Sequence, residues 1–183
     1  MSQGLRFKSA VDVFEALPAA HDDISAEPTD APPVEYLRTL VASATPEDAI
    51  TFCAYMLGRR EAVWWGHQCL NAVPETLDQN DQDLLGLAED WVRDPEEERR
   101  NAALEAGMAA RMKTPGAWVA LGAGWSGGSM TPPDSAPVPP PPHLTAKAIN
   151  AAVLSVLARV PLANRASTLK SFVDMGIQLY EAQ

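Results

Sequence analysis

The placement of the prolines constrains this chain of 183 residues more than any other feature of its sequence. Three of them follow a residue that suits a helix N-cap, in the pairs Thr45-Pro46, Asp94-Pro95 and Thr114-Pro115. Proline is favoured at the first helical position because the N–H that it lacks would have no partner there. These pairs predict helix starts, and no segment shows the period-two alternation of a half-buried strand. The sequence therefore predicts an all-α protein.

Apolar residues at helical spacing predict eight or nine helices, packed as a compact bundle and joined mostly by short turns. Ser9 suits the N-cap of the first helix, while Gly58 and Pro74 mark the ends of two others. The helix that starts at Pro46 is apolar on most sides, which is typical of a central helix. The predicted helices lie within 1–20 and at about 34–43, 46–57, 59–73, 78–93, 95–112, 115–121, 146–160 and 164–181.

Residues 129–142 form a Pro-rich segment, with seven prolines between Pro132 and Pro142. Such a segment can be neither helix nor central strand, and it favours the extended polyproline II conformation. We expect an ordered loop that packs on or near the helical body, because tryptophan rings are natural platforms for proline. The alternative is a mobile tether that presents its prolines to a partner. The candidate platforms are Trp64, Trp65, Trp118 and Trp125.

A change in composition near residue 33 divides the chain. Residues 1–32 are predicted to form a short N-terminal helix followed by an acidic loop, and the polar, Pro-bearing loop stretch 21–33 reaches the boundary with the next unit. Residues 33–183 are predicted to form a single helical domain that includes the Pro-rich segment.

The net charge of −10 argues against nucleic acid and against anionic lipid as the main ligand, since both require clustered positive charge. Two cysteines are too few for a disulfide-stapled secreted domain. The N-terminus holds no uninterrupted apolar stretch like that of a signal peptide, and the longest weakly polar runs are shorter than a membrane span. The sequence therefore predicts a soluble, cytoplasmic protein that does not insert into a membrane.

Between Glu75 and Glu98 the chain carries ten acidic residues and one base, Arg93. This stretch predicts a solvated helical face that keeps the protein soluble. The functional alternative is a docking surface for a basic partner. The aspartates in the stretch do not follow the spacing of an EF-hand loop, so no calcium site is expected.

Residues 124–128, GWSGG, match the G-x-S-x-G pattern of serine hydrolases, and Asp134 and His143 follow in the order of a catalytic triad. In those enzymes the serine lies on a sharp turn between a strand and a helix. Here no strand is predicted before Ser126, and Pro-rich chain follows it. The pattern favours a glycine hinge with no catalytic residue, and a serine nucleophile remains the alternative.

No metal or cofactor is expected to bind. His67 and Cys69 are two positions apart, which places them about 200° apart around a helix, so both cannot bind one ion. Cys53 and Cys69 are expected to be buried thiols that act as small apolar side chains.

The predicted helix over 59–73 has a largely polar face that nevertheless carries a tryptophan. Trp64 lies on this face, opposite the stripe that contains Trp65. It is therefore either covered by another part of the chain or a contact residue for a partner, since Trp and Arg are favoured at protein interfaces. The candidate binding residues are Arg60, Trp64, His67, Asn71 and Trp125.

Two motifs carry a resemblance to a known family. They are RREAVWW at 59–65 and the run from Gly124 to Met130, which is followed by Pro132-Pro133 and by VPPPPHLTAKAINAAVLSVLA. They resemble an uncharacterised bacterial family of all-helical proteins whose members are sometimes encoded near type VI secretion loci. The resemblance covers about residues 33–180 and implies no catalytic residues.

The sequence as a whole favours a non-enzymatic accessory or adaptor domain. Its expected partner is another protein, which would be basic if the acidic stretch is the docking surface. The alternatives are a small serine hydrolase that uses Ser126 and a structural subunit of a larger bacterial assembly.

Overall fold

The computed structural model describes residues 6–131 and 134–183, and its regular structure within these ranges is entirely helical. Nine of its ten α-helices have seven residues or more, so the prediction of an all-α bundle is confirmed. Residues 1–5 of the first predicted helix, and Pro132-Pro133 of the Pro-rich segment, lie outside the described ranges. The helices are α1 (Ala10–Ala16), α2 (Ala20–Asp23), α3 (Pro33–Val41), α4 (Glu47–Met56), α5 (Arg59–Asn71), α6 (Gln79–Arg93), α7 (Glu97–Ala109), α8 (Pro115–Gly124), α9 (Leu144–Arg159) and α10 (Leu162–Glu181).

Two helix starts form as the sequence predicts. The Ser9 hydroxyl accepts the N–H of Asp12, and the Asp12 carboxylate accepts the N–H of Ser9 in return, which makes a capping box for α1. The Thr114 hydroxyl accepts the N–H of Ala117 at the start of α8. The short side chains before these helices therefore satisfy donors that the helices themselves cannot pair.

The prediction that Asp94 caps the next helix is wrong, because α7 begins only at Glu97. The N–H of Asp94 donates to the carbonyl of Asp90, so Asp94 closes α6 instead of opening α7. Its carboxylate pairs with Arg99 at 3.1 Å. The loop predicted over 21–33 is also too long at its start, since α2 continues to Asp23.

Helix α8 packs against four neighbours, α5, α6, α7 and α9, and forms the centre of the bundle. All of its residues except Trp118 are buried. Glycine allows α7 to come close, because a Cβ at Gly124 would lie only 2.7 Å from the Cα of Leu104. A larger side chain at this position would push α7 and α8 apart.

The segment that precedes α3 packs into the same hydrophobic core as the later helices. Phe14 of α1 stacks on Phe52 of α4, with ring centroids 6.1 Å apart, and Tyr36 of α3 lies edge-on to both rings. Phe7 is tied to α10, since its N–H donates to the Tyr180 hydroxyl and its carbonyl accepts the hydroxyl proton. The two ends of the described chain are therefore held together.

The described part of the Pro-rich segment turns back on itself. The N–H of Met130 donates to the Val138 carbonyl at 2.8 Å, and the N–H of Val138 donates to the Ser129 hydroxyl at 3.0 Å. Gly128 precedes this turn with a φ of 61°, which side-chain-bearing residues rarely adopt. Arg100 donates to the Ser129 carbonyl at 3.3 Å, and this bond attaches the start of the segment to α7.

Two buried charged side chains cap α8 from neighbouring helices. At its N-terminal end the carboxylate of Asp81 on α6, 1% exposed, accepts the N–H of Gly116 at 2.8 Å. At its C-terminal end Arg100 of α7, 3% exposed, donates to the carbonyl of Gly124 and pairs with Glu97. Both charges complement the helix dipole. Helix α8 carries no charged residue of its own, and the charged groups that cap its two ends come from α6 and α7.

Candidate functional site

Trp64 stands on α5 between two open grooves. The first groove, of about 490 Å³, lies between α5 and the C-terminal end of α6. The second, of about 270 Å³, lies between α5 and α10. We name Trp64 and these two grooves the Trp64 surface. The first groove is lined by Arg60, Glu61, Trp64, Val92 and Arg93, and the second by Trp64, Gln68, Met175, Gln178 and Leu179.

The geometry of α5 explains why Trp64 is half-buried while its neighbour Trp65 is fully buried. Trp65 faces the core, where its indole N–H donates to the carbonyl of Phe172 on α10 at 2.8 Å. One position is about 100° around a helix, so Trp64 is turned toward the edge of the bundle. There it stacks on His67, with ring centroids 5.0 Å apart and the ring planes 14° apart. A buried ring therefore holds the indole in place.

His67 is 5% exposed, although its helical face is polar. Its Nε2 lies 3.3 Å from the Glu89 carboxylate, and the Asn71 amide nitrogen lies 3.3 Å from its Nδ1 and 3.1 Å from its Nε2. Burial lowers the pKa of His67 below its ordinary value, while Glu89 opposes this and Arg93 adds to it. The ring is therefore neutral at neutral pH, and this arrangement favours the tautomer whose Nε2–H donates to Glu89.

The other candidate residues divide into two groups. Arg60 is exposed and donates from its Nε to the Val92 carbonyl at 2.8 Å, which ties the start of α5 to the end of α6. Asn71 is exposed and bonds to His67. Trp125 is half-buried at the C-cap of α8 and lines neither groove. The structure thus gathers four of the five candidates along α5 and leaves Trp125 apart.

The Pro-rich segment is attached at a different place from Trp64. The grooves beside Trp64 are lined by α5, α6 and α10, whereas the segment bonds to Arg100 of α7. Packing of the segment against one of the other tryptophans stays a prediction.

A helix, not a strand, precedes the serine of the G-x-S-x-G pattern, since α8 runs to Gly124. The Ser126 hydroxyl donates to the carbonyl of Ala123 at 2.6 Å, so its proton is engaged at the end of that helix. The Ser126 carbonyl accepts from Arg59 at 2.8 Å, which joins this turn to the start of α5. These contacts fit a structural turn, and the strand-to-helix turn of a hydrolase is not formed here.

Both cysteines are buried, and burial raises the pKa of each thiol. A thiol with a raised pKa is a poor nucleophile and a poor metal ligand at neutral pH. Within residues 6–131 and 134–183, no group of three His, Cys, Asp or Glu side chains is placed to hold a metal ion.

Sequence reasoning did not find the residues that face Trp64 across the grooves. Val92 and Arg93 come from α6, while Met175 and Leu179 come from α10, more than a hundred positions from Trp64. The spacing of Met175 and Leu179 is that of any inward-facing helical pair. Only the tertiary fold distinguishes them from ordinary core residues.

The fold and this surface define a small all-helical domain with a candidate interaction face. The chain belongs to a family of unknown function, DUF6931, which it matches over residues 36–180. No curated protein and no solved structure matches it. The matched range contains the whole Trp64 surface, while α1 and α2 lie before it. Over the part of the chain that the structure describes, no helix combines the length and apolar character needed to span a bilayer.

Proposed function

We propose that this protein is a non-enzymatic adaptor that binds another protein through the Trp64 surface. The observation that carries the proposal is a half-buried tryptophan held by a buried histidine between two open grooves. Tryptophan and arginine supply much of the energy of protein interfaces, and the surface presents Trp64 beside Arg60 and Arg93.

The support from His67 and Glu89 favours recognition by a preorganised surface. Fixing the indole before binding reduces the entropy that association costs. Two grooves on either side of one ring allow a partner to insert a side chain into each and to cover Trp64 between them. Their lining by Val92, Met175 and Leu179 favours apolar anchors, and the charged rim favours polar contacts around them.

We further propose a basic partner in the cytoplasm, because the chain carries a net charge of −10 that is concentrated between residues 75 and 98. The resemblance to proteins encoded near type VI secretion loci favours a component of such a bacterial assembly. If the partner is held in fixed stoichiometry within that assembly, the protein is a structural subunit and not a transient adaptor.

The proposal is tested by affinity capture from native lysate, using three forms of the intact protein. These are the wild type, Trp64→Ala and Leu162→Ala, the last being a matched control because Leu162 is an exposed apolar residue on α10, 79% exposed. A partner retained by the wild type and by the control, but lost with Trp64→Ala, supports the proposal. Loss of a hot-spot tryptophan should weaken binding of the purified partner roughly 30-fold or more. A partner bound equally by all three would contradict it.

The serine hydrolase alternative is tested with a covalent probe that labels activated serine side chains. We expect no labelling of the wild-type protein, because the Ser126 hydroxyl is engaged with the Ala123 carbonyl. Labelling that disappears in Ser126→Ala would overturn the non-enzymatic proposal.

A further inference from the structure

We infer that a partly enclosed cavity near the start of α5 binds a small organic oxyanion, a carboxylate or a phosphate on a short apolar body. The cavity has a volume of about 180 Å³ and lies where α1, α4, α5 and α9 meet. It shares no lining residue with the grooves beside Trp64, so this inference does not depend on the proposed function. The cavity is lined by Arg6, Ala16, Leu17, Ala54, Tyr55, Leu57, Arg59, Ala62, Pro142, Thr145 and Ala146.

Two guanidinium groups from different parts of the chain form its charged wall. Arg6 donates from Nη1 to the Leu57 carbonyl, and Arg59 donates from Nη1 to the Ser126 carbonyl at 2.8 Å. These bonds fix the two side chains, yet each uses only one of the five N–H donors of a guanidinium. Neither residue is fully buried, and both line the cavity.

The charges around the cavity favour an anion. Among the described residues that line the cavity, Arg6 and Arg59 are cationic and none is acidic. Lys147 pairs with Asp23 at 2.8 Å, so that carboxylate is already neutralised. Burial is the main cause that lowers the pKa of Arg6, while the nearby carboxylate of Glu61 opposes this effect. The lining is therefore positive in a chain whose net charge is −10.

Tyr55 also lines the cavity, but its hydroxyl proton is already engaged and is not available to the anion. The hydroxyl donates to the carboxylate of Asp23, on the side where Lys147 also binds. Asp23 is thereby held by two donors, which leaves the guanidinium groups of Arg6 and Arg59 as the main charged groups of the wall.

The size of the cavity and the apolar residues that line it limit which ligands can bind. The volume is below the range of about 300–1,000 Å³ that is typical of sites for drug-sized molecules, so only a short ligand fits. Guanidinium pairs in a forked geometry with both carboxylate and phosphate. Seven of the nine other lining residues are apolar, which suits a short hydrocarbon body. The apolar residues include Leu17, Ala54, Leu57, Ala62 and Ala146.

The inference is tested by calorimetric titration of the full-length protein at constant ionic strength. The probes are sodium butyrate, inorganic phosphate and the neutral amide butyramide. We expect saturable binding of one butyrate or one phosphate per chain and none of butyramide, and the anion that binds identifies the head group. Arg59→Met should weaken that binding roughly tenfold or more, because it removes a charged donor but keeps the side-chain length.

Two further variants separate a site from a general charge effect. Arg111→Met removes one exposed positive charge outside the cavity and should bind as the wild type does. Ala16→Phe keeps both arginines but fills the cavity from an exposed lining position, and it should abolish binding while circular dichroism shows an intact fold. No saturable binding to the wild type, equal binding by Ala16→Phe, or equal weakening by Arg111→Met and Arg59→Met would each overturn the inference.

Discussion

The ends of α8 and the Trp64 surface use polar and charged side chains in opposite ways. At α8 the carboxylate of Asp81 and the guanidinium of Arg100 are buried and bond directly to the two helix termini. At the Trp64 surface Arg60 and Arg93 are exposed and border grooves that are open to solvent. The difference indicates which charged groups stabilise the fold and which are available to bind a partner.

The energetic consequence is that substitutions in the two regions should affect different properties. Removing a buried hydrogen-bonded group leaves its partner unpaired in a desolvated place, which costs free energy of folding. Removing an exposed group costs little stability, but it changes a surface that a partner contacts. Four substitutions test this contrast by their effect on the free energy of unfolding.

Replacing Arg100 by Met should have the largest effect, lowering the free energy of unfolding by about 3 kcal/mol. The variant leaves the Gly124 carbonyl without its charged donor and frees the start of the Pro-rich segment at Ser129. Urea denaturation measures the loss. Arg99→Met is the matched control, since Arg99 is an exposed partner of Asp94, and it should cost less than about 1 kcal/mol. If Arg100→Met and Arg99→Met lowered the free energy of unfolding equally, the distinction between buried and exposed charges would be wrong.

Replacing Asp81 by Ala should lower the free energy of unfolding by about 2 kcal/mol, because the buried N–H of Gly116 loses its acceptor. Asp81→Asn keeps an acceptor but removes the charge at the positive end of α8, so its loss should be smaller. Asp83→Ala, at an exposed position of the same helix, is the control. If Asp81→Ala and Asp83→Ala melted at the same temperature, Asp81 would not be a cap.

The free energy of unfolding should depend on pH through His67, and this dependence should be absent when glutamine replaces the histidine. Because burial lowers the pKa of His67 from 6.5, the unfolded chain binds a proton that the folded protein does not. The free energy of unfolding should therefore fall as the pH drops through 6.5 toward the lowered pKa, by about 1.4 kcal/mol for each unit between the two pKa values.

The measurement compares urea denaturation of the wild type and His67→Gln over this pH range. The difference between the two curves isolates His67 from the carboxylates that titrate at lower pH. A slope that survives in His67→Gln would assign the effect to another group.

Trp64→Phe should have the smallest effect on stability, within about 0.5 kcal/mol of the wild type. Trp64 is only half-buried, and a phenyl ring keeps a flat surface against His67. A loss of partner binding with unchanged thermal melting would sharpen the contrast between the two regions. A large loss of stability would place Trp64 with the architectural residues.

The helices were largely predictable because their signals are local. Thr114-Pro115 marks the start of α8, and Ser9 marks the start of α1, as the sequence indicates. The prediction at Asp94 was wrong because an aspartate that begins a helix and one that ends a helix look the same in the sequence. Only the bond from the Asp94 N–H to the Asp90 carbonyl shows that Asp94 ends α6.

The burial of Asp81 and Arg100 was also encoded locally, but the charge of these residues obscured it. Asp81 lies three and four positions before Leu84 and Leu85, so helical spacing places it on the apolar face of α6. Arg100 has the same relation to Ala103 and Leu104 on α7. Their bonding partners on α8 could not be predicted, because 24 and 35 positions separate the pairs.

The candidate site was predictable only in part for the same reason. The spacing from Arg60 to Asn71 identifies one face of α5, and the structure keeps these residues together. The walls supplied by α6 and α10 depend on tertiary packing that no local pattern reports.

The capping of α8 from outside also orders events during synthesis. Asp81 and Arg100 precede residues 115–124, so both capping residues have already been synthesised when α8 leaves the ribosome. Helix α8 can therefore dock against α6 and α7 as it emerges, before α9 exists to cover its other side. A circular permutant that begins at residue 115 reverses this order, and its central helix would emerge with neither end charge available.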